Sequence, residues 1–121
     1  MALPSLIYSY NLEIEGVNDI QLPQLQSVSN GFTVSDSGVH KIATPELLFV
    51  GGDFNLANNP NLNTLELSGL VNVQGDMSVV NNTDLMNLDG LPTLSSVGGA
   101  LDLEGSFNQC VVNTGCANSA Y

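Results

Sequence analysis

Gly51-Gly52-Asp53-Phe54-Asn55-Leu56-Ala57-Asn58-Asn59-Pro60 is answered further along the chain by Gly75-Asp76-Met77-Ser78-Val79-Val80-Asn81-Asn82-Thr83. Each string runs from glycine and aspartate, through two apolar residues flanking a polar one, to paired asparagines. Outward from these strings the apolar pair recurs as Leu12 and Ile14, Phe32 and Val34, and Leu101 and Leu103. The steps between the first members are 20, 22, 23 and 24 residues. Apolar, polar, apolar is the period of a strand with one buried face. Its return at a nearly fixed interval marks a stacked repeat.

Two further elements follow each pair. The first is Ile20 with Leu22, then Ile42, then Leu65 with Leu67, then Leu88. The second is an apolar residue with Val three positions later: Leu25 and Val28, Leu47 and Val50, Leu70 and Val73, Leu94 and Val97. Pro23, Pro45 and Pro92 precede it in three copies and Gly69 in the other. Proline cannot donate to a ladder, so it marks a corner. Gly31, Gly51, Gly52, Gly75, Gly98 and Gly99 close the copies, where positive φ or close backbone approach would penalise a β-carbon. Asn58, Asn59, Asn81 and Asn82 sit at another corner, where asparagine tolerates left-handed backbone and stacks its side chains.

One copy cannot bury its apolar side alone, and stacking the copies supplies a common core. The expected fold is all-β, a parallel β-solenoid of about five turns of 20–24 residues with two or three narrow sheets. It occupies one domain, 1–121, with repeats over 11–105. Residues 1–10 are expected to break the repeat as an N-terminal cap, and 106–121 to form a C-terminal cap containing the cysteine pair.

Twelve acidic residues face one basic residue, Lys41, for a net charge of -11. Such a chain repels phosphate backbones and anionic headgroups, so nucleic acid and membrane-surface partners are not expected. No apolar run approaches the roughly 20 residues that span a bilayer, so membrane insertion is not expected either. Residues 1–10 lack the basic and long apolar regions of a secretory signal, and the last residues lack an anchor tail. Either a cytosolic protein or a piece of a longer secreted one is expected, and the repeats favour the second.

The glycine, apolar and asparagine strings quoted above, together with Leu91-Pro92-Thr93-Leu94-Ser95-Ser96-Val97-Gly98-Gly99, resemble the fungal cell-wall organisation proteins. These are GPI-anchored surface proteins with receptor L-domain-like repeats. The resemblance covers about residues 10–110. It implies a right-handed, L-domain-like solenoid, an extracellular place at the cell surface or wall, N-glycosylation and a role in wall integrity. A wall polysaccharide or a surface protein is the partner it implies.

Candidate chemistry is sparse. His40 and Lys41 share a connecting segment, where exposure without a task is expected. No nucleophile elbow is recognisable, and no catalytic residue, cofactor or metal ligand is assigned. Four carboxylates carry the enzymatic alternative, a carbohydrate-active β-helix using Asp53, Asp76, Asp102 and Glu104 as paired acids. Asp53 and Asp76 stack one rung apart, an arrangement that either solvent or Ca²⁺ would relieve. The outward column Thr33, Asn55, Ser78 and Asp102 is a flat polar ladder that could hydrogen-bond glycan. Cys110 and Cys116 are placed to form a disulfide worth about 2 kcal/mol on the loop-entropy argument. Asn81-Asn82-Thr83 is an N-glycosylation acceptor on a corner. The first reading is a non-catalytic structural or interaction module. The enzyme and a receptor-like ligand-binding module are the alternatives.

Overall fold

The structure, a computed structural model, describes residues 2–85 and 93–104. The strands run turn by turn. β1 (Tyr8–Ser9), β2 (Leu12–Glu15) and β3 (Ile20–Gln21) are followed by β4 (Ser27–Val28), β5 (Phe32–Ser35) and β6 (Lys41–Ala43). Next come β7 (Phe49–Val50), β8 (Phe54–Ala57) and β9 (Thr64–Glu66), then β10 (Asn72–Val73), β11 (Met77–Val80), β12 (Ser96–Val97) and β13 (Leu101–Glu104). Every pairing is parallel and joins equivalent elements of successive copies. Sheet I stacks β1-β4-β7-β10-β12, sheet II stacks β2-β5-β8-β11-β13, and sheet III stacks β3-β6-β9. The chain is thus a β-solenoid whose five rungs in sheet II enclose four turns, against the expectation of about five. Among the described residues there is no helix.

The register follows the predicted columns. Leu12, Phe32, Phe54, Met77 and Leu101 stand one above another, as do Ile20, Ile42 and Leu65, and Val28, Val50, Val73 and Val97. Phe32 and Phe54 stack with centroids 5.2 Å apart and planes 5° from parallel. That ring pair adds about 0.5–1.5 kcal/mol to what its burial contributes. One core position departs from type. Thr44 continues the column of Leu22 and Leu67, and its buried hydroxyl has no partner among the described residues. An unpaired buried polar group of this kind costs about 1–3 kcal/mol.

The N-terminal segment differs from its expectation. Rather than breaking the repeat, β1 pairs with β4, and Leu3 N donates to Gln21 O at 3.1 Å. Leu3-Pro4-Ser5-Leu6 is the same corner as Leu22-Pro23-Gln24-Leu25, with Ser9 in place of Val28. The second-element residue Leu88, together with Pro92, Cys110, Cys116 and the expected cap 106–121, lies outside the described residues.

The two predicted corner chemistries separate cleanly. Positive φ belongs to the corner after sheet II, at Gly16 (72°), Asp36 (48°), Asn58 (58°) and Asn81 (55°). The glycines that close each copy are required instead by close approach. Gly52 N donates to Asn30 O at 2.8 Å, Gly75 N to Gly52 O at 2.9 Å, and Gly99 N to Gly75 O at 2.9 Å. A β-carbon at Gly51 would run into the Ser29 carbonyl.

Candidate functional site

The acids proposed as a catalytic set do not converge. Asp53 and Asp76 stand at the glycine corner, and each ties its rung to the next through one carboxylate oxygen. Asp53 Oδ1 accepts from Asp76 N at 2.8 Å, and Asp76 Oδ1 from Ala100 N at 2.8 Å. Asn11 Oδ1 does the same for Gly31 N at 3.1 Å. The carboxylate acceptors of Asp53 and Asp76 make stronger ties than the neutral amide of Asn11. Among the described residues, no three His, Cys, Asp or Glu side chains group to hold a metal ion.

Asp102 and Glu104 do meet. They alternate along β13, with Glu104 exposed and Asp102 half-buried. A hydrogen bond shared with Asp102 is the main cause that holds the Glu104 carboxyl above its ordinary value, and the Asp102 charge adds to it. The pair lies on the outward face of a sheet. Asp102 ends the outward column of Thr33, Asn55 and Ser78, which is half-buried and polar, as the alternation requires.

His40 and Lys41 are both exposed. Lys41 Nζ lies 3.0 Å from Glu66 Oε1 across sheet III, a surface pair worth about 0–1 kcal/mol. Beside it is a cleft of about 370 Å³ lined by Asp19, Gln21, Pro23, Lys41, Pro45 and Glu66. It gathers ion-pairing and proline side chains, with no Ser, Thr, Cys or His among its walls.

The asparagine corner carries the most polar chemistry, and it points inward. Asn59 and Asn82 are buried. Asn59 Nδ2 donates to Val34 O at 3.1 Å and to Asn82 Oδ1 at 3.0 Å, while Asn59 Oδ1 accepts from Ser37 N at 3.1 Å. Asn82 Nδ2 donates to Leu56 O at 3.0 Å. On the outside of the same corner, Asn81 is exposed and its Nδ2 donates to Asn58 Oδ1 at 3.2 Å. The residue expected to accept a glycan is therefore exposed, with its amide nitrogen bonded to one neighbour.

Sheet I supplies a surface that sequence reasoning missed. Its outward columns are Tyr8, Ser27, Phe49, Asn72 and Ser96, and alongside them Ile7, Gln26, Leu48, Val71 and Ser95. None of these residues is charged in a chain of net charge -11. Tyr8 is 55% exposed, Leu48 52%, Ile7 49% and Val71 43%, so the apolar groups face solvent rather than core. The available signal was the residue before each Val of the third element, a column without a single acid.

Comparisons place the chain among fungal sequences. It is 34% identical over 99 residues to Sporulation-specific protein 2 of Saccharomyces cerevisiae, covering 82% of this chain and 20% of that protein. To Sporulation-specific protein 22 of the same yeast it is 28% identical over 114 residues, covering 94% of this chain and 25% of that protein. To a cell surface GPI-anchored protein of Arthroderma benhamiae it is 28% identical over 104 residues, covering 86% and 27%. The chain thus spans between a fifth and about a quarter of the length of these relatives. No protein-family model and no solved structure matches it.

Proposed function

We propose that the chain is a non-catalytic structural and interaction module of a fungal cell-surface protein, extracellular and contributing to wall organisation. One observation carries this reading: the polar side chains best placed for chemistry hold rung to rung. Asp53, Asp76, Asn59 and Asn82 each direct an oxygen or amide to the next copy's backbone or side chain. The similarity to a GPI-anchored surface protein supports the location, and the similarity to two sporulation-specific proteins fits a role tied to sporulation. L-domain-like repeats and N-glycosylation at Asn81 belong to the same reading.

The enzymatic alternative rests on Asp102 and Glu104, two carboxyl groups that share a hydrogen bond on β13, which holds the Glu104 carboxyl above its ordinary value. Two measurements test the proposal. Tagged within its full-length protein in a fungal host, the chain is expected in the wall fraction; recovery from cytosol alone would overturn the location. Incubated with glucan, chitin and mannan, it is expected to release no reducing ends beyond those from an Asp102→Asn, Glu104→Gln double variant. Turnover that disappears in that variant would establish the enzyme.

A further inference from the structure

Sheet I differs from the rest of the surface in two ways. Its outward columns carry no charge, and they expose the large apolar and aromatic side chains of Ile7, Tyr8, Leu48 and Val71 beside neutral Gln26, Ser95 and Ser96. Tyr8 and Phe49 stand in one column two rungs apart, with Ser27 between them. At about 4.8 Å per rung the two rings are separated by nearly 10 Å along the axis, comparable with the disaccharide repeat of an extended β-linked glycan. A β-carbon at Gly51 would stand 3.3 Å from Phe49 Cε2, so that ring covers the glycine, and Tyr8 reaches Ser29 Oγ at 2.6 Å through its hydroxyl. Asn72 continues the column beyond Phe49 and offers donors and acceptors to hydroxyl groups.

Charge and area select the occupant. An anionic partner is repelled by the net charge of -11, and a cationic one is drawn to the acidic flanks instead. The flank measures about 24 Å by about 12 Å, on the order of 300 Å². A stable protein interface needs about 800 Å² from each partner, so neither a second copy nor another protein is well served by it. A sugar chain presents apolar ring faces and neutral hydroxyl edges in a ribbon of similar width. Aromatic and apolar platforms with a few fixed polar groups are the surface such a ligand requires.

We infer that the outward face of sheet I binds a neutral, extended β-linked polysaccharide lying along the solenoid axis, with Tyr8 and Phe49 as stacking platforms and Leu48 and Val71 as the apolar floor beside them. This rests on the surface-module reading and assigns its contact face. The test is retention of the purified chain on insoluble chitin, β-1,4-glucan and β-1,3-glucan, measured from physiological to molar salt. Retention on at least one polymer is expected, with little dependence on salt because no ion pair forms.

Phe49→Ala is expected to weaken it about tenfold, as loss of one central aromatic anchor does. Leu48→Asp and Val71→Asp alter exposed positions and provide variants that keep the core intact, checked by circular dichroism. They are expected to weaken retention as much, while Asn55→Asp on sheet II leaves it unchanged. Three results would overturn the inference: no retention on any of the polymers, equal retention by the sheet I variants, or retention replaced by dimerisation that Leu48→Asp abolishes. A protein found in the wall yet inert toward all three polymers would end this assignment and leave the surface reading standing.

Discussion

Two corners of the same coil solve the same problem by opposite means. At the corner after sheet II, side chains enter the core and bridge the rungs: Ser37, Asn59 and Asn82 occupy one column and satisfy backbone groups above and below. At the corner before it, backbones touch and side chains must be absent: Gly52, Gly75 and Gly99 bond carbonyl to amide in an unbroken line from Asn30. The first corner depends on what a residue supplies. The second depends on what it lacks.

The largest expected effect breaks the first corner. Asn59→Leu fits the volume, strands Ser37 N and takes a donor from Val34 O, while Asn82 Oδ1 keeps only its bond from Asn59 N. At about 1–3 kcal/mol for a stranded group, a loss of about 2–3 kcal/mol is expected in chemical denaturation. A loss below 1 kcal/mol would show that the ladder is incidental. Next comes the second corner. Gly51→Ala drives a methyl into the Ser29 carbonyl and the Phe49 ring, an overpacking expected to cost about 1–3 kcal/mol in the same assay. Unchanged stability there would mean that the corner can open without cost.

A smaller effect sharpens the contrast by separating conformation from bonding. Asn58 has φ of 58° with an exposed side chain. Asn58→Ala is expected to cost about 1–2 kcal/mol for left-handed backbone, whereas Asn58→Gly should stay within a few tenths of wild type. Equal losses in both would point to the Asn81 contact instead. The smallest effect lies at the approach to this corner on β13. Because the Glu104 carboxyl is raised in the folded state, its favourable contribution is complete below the ordinary carboxylate range. That contribution is lost as pH climbs through the raised value. Glu104→Gln should therefore match the parent in thermal melts at low pH and exceed it slightly at neutral pH. A variant that is less stable at neutral pH would contradict that sign.

Most of the fold was legible because a solenoid writes its geometry as a period. Phe32, Phe54 and Met77 align since each fills the same core slot, and slots recur at the rung spacing. What escaped reading were positions where one slot is filled by different chemistries. Val17, Ser37, Asn59 and Asn82 form one column, yet only the last two share a letter, so the ladder's full extent was hidden. Ser9 standing where the other copies have Val concealed that Leu3-Pro4-Ser5-Leu6 continues the repeat. The sheet I face was overlooked because its strands are only two residues long, too short for alternation to declare which side faces water. Asp53 and Asp76 looked like chemistry because a carboxylate stacked on a carboxylate suggests a ligand. The backbone amides that receive them leave no mark in the sequence.

The hydrogen bonds of all three sheets run from rung to rung, parallel to the stacking direction. Tension applied between the ends of the coil therefore falls on the interfaces in series, each bearing the whole load, so the weakest yields first and the remainder stay closed. Asn11, Asp53 and Asp76 stitch three of those interfaces at the glycine corner, while Gly31 supplies no such stitch toward Asp53. Between those two rungs the backbone ladders, the stacked rings of Phe32 and Phe54 and the Ser37 and Val34 bonds to Asn59 hold without a carboxylate or amide stitch at the glycine corner. Under stretch, a molecule of this design would lengthen in discrete steps rather than rupture at once.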